Sequence, residues 1–589
     1  MYERARVLSG GTIICLAIVA GSASCDGPGN GGSGGDAGQG GNGSPGTYCT
    51  NTPPGHDPIL DKDVPADHPD AIPKYYSDVT LPGGCIHHFA NGFTVESGAK
   101  VTIEAGAVIE IGGGNTANEI FVTEGAIIAE GTAAAPVQFR PAAGKTFGGI
   151  YVQNIGTISL RHTHIQDATH SLNQGGPDAA CLTIYGELDT VPKGVVIEDS
   201  TFQRCAYGGI VFGTDLQDEA TASAIAAMYS SFTRNEILDS EYGFVVFNES
   251  LIAGIKEMPK TTGVKAHVTD ELLLLNLDLT LLDGGIPWWG ASIDIGATAK
   301  LRLEPGVQFE VHDIFFNPPH LHIDGEGELF MEGTVDKPIV VSADMGLHGA
   351  PGLSSSLKAT LRHTRFSGLE LMSIGAGSIA ENVTNENCAG SEQKAFQVFG
   401  DDATFTSNTI RNCPVGIRAY QQTVWRVGAG NVYENVDHNE LEISSTKVGT
   451  ATWVGQSVPW VFSDLDVSGT LTLEPGVHLR GRDAFNGSAI VVLSGSKIIA
   501  QGTAAQPVRF DGQGAGVDSW DGIELLDTGT VDFTYVDMSE AHTGVATKNA
   551  PITLTNSTFH DNFTDVYQAC APATITNSTA VVTKAAGCP

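Results

Sequence analysis

The sequence predicts an all-β protein built from a repeated unit, and three observations lead to this class. Charged residues make up only 17% of the 589-residue chain while Gly accounts for 73 residues, a composition that suits short strands and tight turns. Apolar and polar residues alternate with period two in many short segments. One three-part motif recurs three times in the same order. A chain of this length exceeds one ordinary hydrophobic core, so it folds as several domains or as an extended repeat.

Residues 1–24 resemble the signal peptide of a bacterial lipoprotein. Two arginines precede an apolar stretch at 11–20 that is too short to span a bilayer, and small residues then lead to Cys25. In that family the cysteine is acylated and becomes the mature N-terminus, although the family prefers Leu where this chain has Ser22. The resemblance implies an exported protein with a lipid anchor at Cys25. The alternative is ordinary signal-peptide cleavage, in which Cys25 is an unmodified cysteine with a free thiol.

The segment 25–74 has the composition of a flexible tether, because its first half is mostly Gly, Ser, Asn and Asp. No later segment reaches the ~18 uninterrupted apolar residues of a membrane-spanning helix. We therefore expect the protein to lie outside the cytoplasm, at the bacterial outer membrane, on the cell surface or in the periplasm. It should contact the membrane through its anchor alone. The net charge of −36 makes nucleic acid an improbable partner, because like charges repel.

The repeated motif divides the rest of the chain into modules that we place at 75–265, 266–445 and 446–589. Its first part starts at Val101, Leu301 and Leu471, its second at Gly131, Gly333 and Gly502, and its third at Leu160, Leu361 and Val531. Each part alternates apolar and polar residues, so it predicts a strand with one buried face. Short strands that Gly interrupts every few residues leave a sandwich, a propeller or a solenoid as candidates.

Segments in the later part of each module discriminate among these three folds. In the segments 199–210, 408–417 and 556–562, an inward Phe or Ile precedes Asn or Cys, and in most of them Gly comes before the next strand. These segments resemble the coils of the parallel β-helix repeat family, in which each coil carries about three strands and like residues stack. The resemblance covers the chain from about residue 75 onward. It implies a right-handed parallel β-helix of three tandem modules.

The cysteines indicate disulfides, because eight remain once Cys15 and Cys25 are set aside and an even number in an exported chain is typical of such bonds. Residues one coil apart in a β-helix lie ~4.8 Å apart, which is within the Cα separation of ~4.4–6.8 Å that a disulfide requires. Other pairings stay open. The predicted pairs are Cys49 with Cys85, Cys181 with Cys205, Cys388 with Cys413, and Cys570 with Cys588.

Asp511, Asp518 and Asp521 in a Gly-rich loop are candidate calcium ligands, because exported β-helices often bind Ca²⁺ through carboxylates. Their spacing follows neither the EF-hand nor the nonapeptide calcium repeat. Solvated surface carboxylates are the preferred interpretation, and we predict no cofactor.

Pairs of histidines could begin a metal site, but neither pair has an evident third ligand. The pairs are His162 with His164 and His320 with His322. The first of them recurs as His363 and aligns with Phe533 in the third module. A position that accepts either residue favours packing over ligation, so we predict no metal and no catalytic residue.

The predicted fold suggests two classes of function. A polysaccharide lyase needs a basic catalytic residue and cations for the sugar carboxylate, and a glycoside hydrolase needs converging carboxylates. The chain has few basic residues, and its negative charge would repel polyanionic substrates. We therefore expect a non-enzymatic surface scaffold or binding protein whose partner is a glycan or another cell-surface component. A polysaccharide lyase or glycoside hydrolase is the alternative.

Overall fold

The computed structural model describes most of the chain after residue 46, with short gaps. The described residues belong to one compact unit, Thr47–Pro589. They are 47–50, 52–57, 62–69, 71–114, 118–169, 180–186, 192–214, 228–247, 249–269, 271–274, 277–290, 292–311, 322–343, 352–354, 356–369, 371–388, 394–420, 423–436, 440–444, 447–482, 488–514, 516–570 and 572–585. Cys25 and the predicted signal peptide lie outside these residues.

Short strands dominate the described residues, where only Glu249–Ile252 and Val424–Arg426 are helical, as 3₁₀ turns. Successive strands enter different sheets in a cycle of three, and each pairs in parallel with the strands about one coil before and after it. This arrangement is a parallel β-helix, so the predicted fold class is confirmed. None of the helices in the described part of the chain has the length and apolar character required to cross a membrane.

Three sheets, here named A, B and C, begin in the first module. Sheet A comprises Val79–Leu81, Lys100–Glu104, Ala126–Glu130, Thr157–Arg161, Val195–Glu198 and Tyr229–Thr233. Sheet B comprises Ile86–Phe89, Val108–Ile111, Val137–Pro141, Thr163–Gln166, Thr201–Gln203, Glu236–Leu238 and Lys260–Thr262. Sheet C comprises Gly55–Asp57, Lys62–Val64, Lys74–Tyr75, Phe93–Val95, Glu119–Val122, Gly149–Gln153, Leu182–Gly186, Gly208–Thr214, Tyr242–Val246, Ala266–Thr269, Trp288–Gly290, Gln308–Val311, Ile339–Ala343, Thr364–Ser367, Thr384–Glu386, Thr409–Arg411 and Val432–Glu434.

Four further sheets, D to G, complete the second and third modules. Sheet D comprises Glu271–Leu274, Ser292–Ile295, His322–Gly325, Gly352–Leu353, Leu371–Ile374, Lys394–Val398, Val415–Ala419, Leu441–Ile443, Trp460–Phe462, His478–Gly481, Val508–Gly512, Val536–Ser539 and Thr558–His560. Sheet E comprises Asp278–Leu281, Lys300–Leu303, Glu328–Glu332, Lys358–Arg362, Ile379–Glu381 and Thr404–Thr406. Sheet F comprises Lys447–Val448, Asp464–Val467, Ala489–Val492, Trp520–Leu525, Ala541–Thr547, Thr564–Gln568 and Val582–Lys584. Sheet G comprises Ala451–Trp453, Thr470–Leu473, Lys497–Gln501, Thr530–Thr534, Ile552–Thr555 and Ala573–Thr576.

The hydrophobic core is a shaft of stacked inward side chains. Val101 pairs with Ile127 and Ile127 with Ile158, and all three are fully buried. The polar residues between them on the same strands face outward, as the period-two alternation predicts. Burial of these ladders removes apolar area from water at ~25 cal/mol per Å², which is the main force that holds the coils together.

The Gly-Thr part of the motif is a clip onto the next coil. The Gly131 amide donates to the Arg161 carbonyl at 2.8 Å, and the Val137 amide donates to the His162 carbonyl at 3.1 Å. A Cβ on Gly131 would lie 2.4 Å from that His162 oxygen, so only Gly fits. Gly333 and Gly502 make the same clips in the other modules.

The clips correct the sequence alignment of the third module. Gly502 and Val508 approach the carbonyl of Tyr535, so the residue equivalent to His162 and His363 is Tyr535 and not Phe533. All three have positive φ, between 43° and 51°. The feature that the three corners share is the positive φ of this residue, which comparison of the sequences alone does not reveal.

The motif copies do not lie on the same face of the β-helix. The strand after the Glu-containing turn is Val108–Ile111 in sheet B, Gln308–Val311 in sheet C and His478–Gly481 in sheet D. In the first module, sheet C instead holds the third strand of each coil, such as Glu119–Val122. Each module therefore advances the motif by one face, and equivalent outer residues point in different directions.

Part of the predicted tether is folded. Within 47–74, Gly55–Asp57 pairs antiparallel with Lys62–Val64, unlike the parallel coils that follow. Ala66 and Tyr75, which are 5% and 2% exposed, belong to the main hydrophobic cluster. The apolar residues in this segment cover the end of the shaft, which a bare first coil would leave open to water. The stretch 25–46 lies outside the described residues.

Three of the four expected disulfides are present: Cys49–Cys85, Cys181–Cys205 and Cys388–Cys413, with Cα separations of 5.3, 5.4 and 4.9 Å. Cys570 is also disulfide-bonded. Its expected partner, Cys588, lies outside the described residues.

Candidate functional site

A dense group of polar side chains lies on the outer face of sheet D, on the strands from Val415–Ala419 to Val508–Gly512 that run from the second module into the third. Strand alternation places Glu442, Val461, Arg480 and Asp511 in one outward row, because each pairs in register with the next. Val461 is fully buried although it faces outward. The long polar side chains around it therefore cover it, and we call this group the sheet D polar cluster.

Carboxylates and cations alternate in the cluster. Asp511 accepts two hydrogen bonds from the Arg480 guanidinium, at 2.8 and 2.9 Å, and one from His478 Nε2 at 2.7 Å. Glu442 contacts Arg418 at 2.9 Å and Arg482 at 3.3 Å. The side-chain exposures of His478 and Asp511 are 17% and 20%, so this pair is shielded but reachable.

The pKa values follow these contacts. Burial acts to raise the pKa of Asp511, but hydrogen bonds from Arg480 and His478 outweigh it, and the pKa lies below the ordinary value. The hydrogen bond to Asp511 raises the pKa of Arg480. Both groups therefore stay charged at neutral pH, and their charges compensate each other.

The same pattern of alternating charges recurs on other faces. Glu332 binds both Arg302 at 3.0 Å and Arg362 at 2.8 Å, one on the coil before and one on the coil after. Glu386 sits in the same way between Arg365 and Arg411. Such ladders form because long side chains on neighbouring coils reach a partner in register, as Arg362 and Arg411 do, or two positions further along the same face, as Arg302 and Arg365 do.

The candidate calcium ligands do not converge. Asp511 binds Arg480 and His478, while Asp518 contacts His542 Nδ1 at 2.7 Å. Asp521 is exposed. Among the residues described, these carboxylates form no group of three ligand atoms within 4.8 Å of one another. Calcium binding therefore stays a prediction without geometric support.

The candidate histidines are also separate. His162 occupies the clip corner, and His164 is exposed on the outer face of sheet B. His320 lies outside the described residues, as does the side chain of His322. Three potential metal ligands do meet at Cys49, Cys85 and His87. Both sulfurs there belong to a disulfide, so neither is a thiolate that could bind a metal.

Sequence reasoning missed the sheet D polar cluster. One signal was present, since His478, Arg480 and Arg482 alternate along a single strand and must share its outer face. Their partners come from strands tens of residues away. The register that brings Glu442 and Asp511 beside them was not readable from the sequence.

No family model matches the chain, and no curated protein matches it.

Proposed function

We propose that the protein is an exported, lipid-anchored β-helix that acts as a non-enzymatic scaffold or binding protein at the bacterial surface. Its partner would be a glycan or another surface component. The lipoprotein-like signal at Cys25 supports the anchor, and the Gly-rich segment after it supports a flexible attachment.

The observation that carries the proposal is the ion-pair ladder. A uronate lyase needs cations that are free to bind the sugar carboxylate. Here the arginines of the ladders already bind carboxylates of the neighbouring coils, as Arg302, Arg362 and Arg480 do. Paired charges make the outer faces polar without concentrating unpaired positive charge, which suits a surface that contacts neutral or cationic partners.

A polysaccharide-cleaving enzyme, lyase or glycoside hydrolase, is the second candidate, and one contact favours acid–base chemistry. Asp511 orients His478 through a 2.7 Å hydrogen bond, which is how a carboxylate positions a histidine for acid–base chemistry. Arg480 in turn fixes Asp511.

A polysaccharide panel separates the two functions. Neutral, amino-sugar and uronate polymers are incubated with the protein, and binding is measured beside the release of reducing ends and unsaturated uronates. We expect binding to a neutral or amino-sugar polymer and no product. Turnover that H478Q abolishes, and that the matched change H542Q leaves intact, would overturn the non-enzymatic proposal and establish an enzyme, a hydrolase if only reducing ends appear and a lyase if unsaturated uronates appear.

A further inference from the structure

The disulfide between Cys49 and Cys85 has a histidine beside it. His87 Nε2 lies 3.2 Å from Cys49 Sγ and 3.9 Å from Cys85 Sγ, and the ring is fully buried. This imidazole is held on both sides. Nε2 lies 2.9 Å from the Pro82 carbonyl oxygen, and Nδ1 lies 3.0 Å from the Thr52 hydroxyl.

These partners fix the tautomer of His87. A carbonyl oxygen can only accept, so Nε2 must carry the hydrogen. Nδ1 is then an acceptor, and the Thr52 hydroxyl donates to it. Burial lowers the pKa of His87, which keeps the ring neutral in this tautomer. Nε2–H therefore donates to the Pro82 oxygen, and both sulfurs lie within 3.9 Å of the same nitrogen.

The cysteines of the Cys49–Cys85 disulfide are more exposed to solvent than those of two other disulfides. Cys181 and Cys205 are 0% and 1% exposed, and Cys388 and Cys413 are 7% and 1% exposed. Cys49 and Cys85 are only half-buried. Cys49 also borders a cavity of about 400 Å³, lined by Tyr48, Thr52 and His88 among others. This partial exposure and the adjoining cavity set the bond apart from the two buried disulfides.

We propose that Cys49–Cys85 is an exchange-competent disulfide that small thiols reduce in the folded protein, with His87 as the group that stabilises the leaving sulfur. This inference does not depend on the proposed function. His87 is a positioning and stabilising residue for a bond that controls how the N-terminal segment is attached.

The reaction consumes two thiols. The first, as thiolate, attacks Cys85 Sγ, and the bond between the two cysteine sulfurs breaks. The electron pair passes to Cys49 Sγ, which accepts the hydrogen bond from His87 Nε2–H and then a proton from solvent. A second thiolate attacks the mixed disulfide, so that Cys85 leaves and takes up a proton. Overall, one protein disulfide is reduced to two thiols, and two small thiols are oxidised to one disulfide.

Reduction would loosen the start of the folded unit. The backbone around Cys49 is held by two hydrogen bonds to Ile86, at 2.9 and 3.1 Å, and the Tyr48 hydroxyl donates to Glu110. Apart from these bonds, the Thr52 contact to His87 and the bond from the Tyr75 hydroxyl to the Pro53 carbonyl hold the segment further along. Without the covalent link, residues 47–50 would loosen and the predicted tether would gain length at its junction with the β-helix.

The test is reduction of the full-length protein by graded glutathione, followed by alkylation and mass mapping of each cysteine. We expect Cys49 and Cys85 to react while Cys181–Cys205 and Cys388–Cys413 stay oxidised, with the transient glutathione adduct on Cys85. H87F should slow the reaction about tenfold or more, since a hydrogen bond to a charged sulfur is lost. The matched change H164F, at an exposed histidine on the outer face of sheet B, should leave the rate unchanged.

Two internal references keep the result interpretable. The disulfide of Cys570, which is exposed, should be reduced at the same rate in wild type and H87F. T52V, which removes only the Nδ1 partner, should slow the reaction less than H87F and serves if H87F does not fold. Equal rates in all variants, or reduction of Cys49–Cys85 only together with the buried bonds on unfolding, would overturn the proposal.

Discussion

The inner face of sheet C is similar along its whole length, but its outer face is apolar in the first half of the sheet and charged in the second. In the first half, Val211, Val245 and Val268 stand in one outward register row and are 0–3% exposed. In the second half, the corresponding row contains Glu386, Arg411 and Glu434, which form a ladder of ion pairs. The inward row is mostly apolar in both halves, for example at Phe244 and Phe366, with the buried His267 and Asn385 as polar exceptions.

The contrast shows which residues specify the fold. The inward row decides that the chain stacks, because it supplies the apolar shaft. The outward row is free to be apolar or charged without altering the strand pairing. Where it is apolar, it builds a second buried cluster that Tyr207, Tyr242, Phe247 and Trp289 pack against. Differences in function among the faces must therefore arise from the outward row.

The largest expected effect comes from breaking the apolar half. V245D places a carboxylate where the side chain is fully buried, with an apolar cluster around it. The free energy of unfolding should fall by about 4 kcal/mol or more. V432D, on the same sheet at a position 43% exposed, should change it by no more than about 0.5 kcal/mol. Chemical denaturation measures both, and equal losses would refute the distinction between the halves.

A second prediction concerns stability in acid, and it tests the inward row in the first half of sheet C. His267 lies in sheet C with its ring between Phe244 and Trp288, and burial lowers its pKa to about 3 from 6.5. Because the unfolded chain binds the proton first, stability is full above pH 6.5 and declines as pH falls toward 3. The loss attributable to this group between pH 6.5 and 4.5 should be about 2 kcal/mol.

The control for His267 is H267N, whose side-chain oxygen can still accept the Phe244 amide that His267 Nδ1 accepts at 3.0 Å. Its unfolding free energy should fall less steeply with acid than that of wild type. Parallel pH profiles for the two proteins would mean that His267 does not carry the dependence.

A smaller effect is expected in the charged half. Glu386 is buried between Arg365 and Arg411, which are themselves about half exposed. E386Q removes the charge that both guanidiniums share, so we expect a loss of about 1–2 kcal/mol that diminishes at high salt. E130Q, at a carboxylate 55% exposed, should cost at most about 0.5 kcal/mol. A salt-independent loss in E386Q would argue against an ionic contribution.

The smallest effect is expected at the clip corner, which belongs to neither face. H363Y reproduces the residue that the third module uses there, Tyr535, and should change the unfolding free energy by no more than about 0.5 kcal/mol. G333A should cost clearly more, because its Cβ would lie 2.6 Å from the His363 carbonyl oxygen. A large loss in H363Y would mean that the imidazole itself has a role.

The sequence predicted those features for which the type of a residue depends on its local surroundings, such as burial or a tight backbone contact. Alternation identified the strands, and Gly131 with its two repeats marked the clips before their purpose was known. The spacing of Cys181 and Cys205 agreed with one coil. In each case the signal is local, or it joins residues that the repeat itself brings together.

Other features depend on register, which the sequence does not state. The advance of one face per module requires every strand to be followed through the junction near residue 266, where the motif is absent. The sheet D polar cluster joins Glu442 to Arg482 and Arg480 to Asp511 only after the coils are stacked. The hairpin of Gly55–Asp57 with Lys62–Val64 carries no repeat pattern, so composition alone predicts a tether for the whole of 25–74.

One measurement tests most directly whether a single sheet runs from the first module into the second. Glu241 and Lys265 flank the register pair Tyr242–Ala266, their side chains meet at 2.9 Å, and Lys265 is exposed to oxidants. The double variant E241C/K265C should form a disulfide in the folded protein, detected as a mass without alkylated thiols at these positions. Two freely alkylated thiols in a folded, oxidised protein would contradict the continuous parallel sheet.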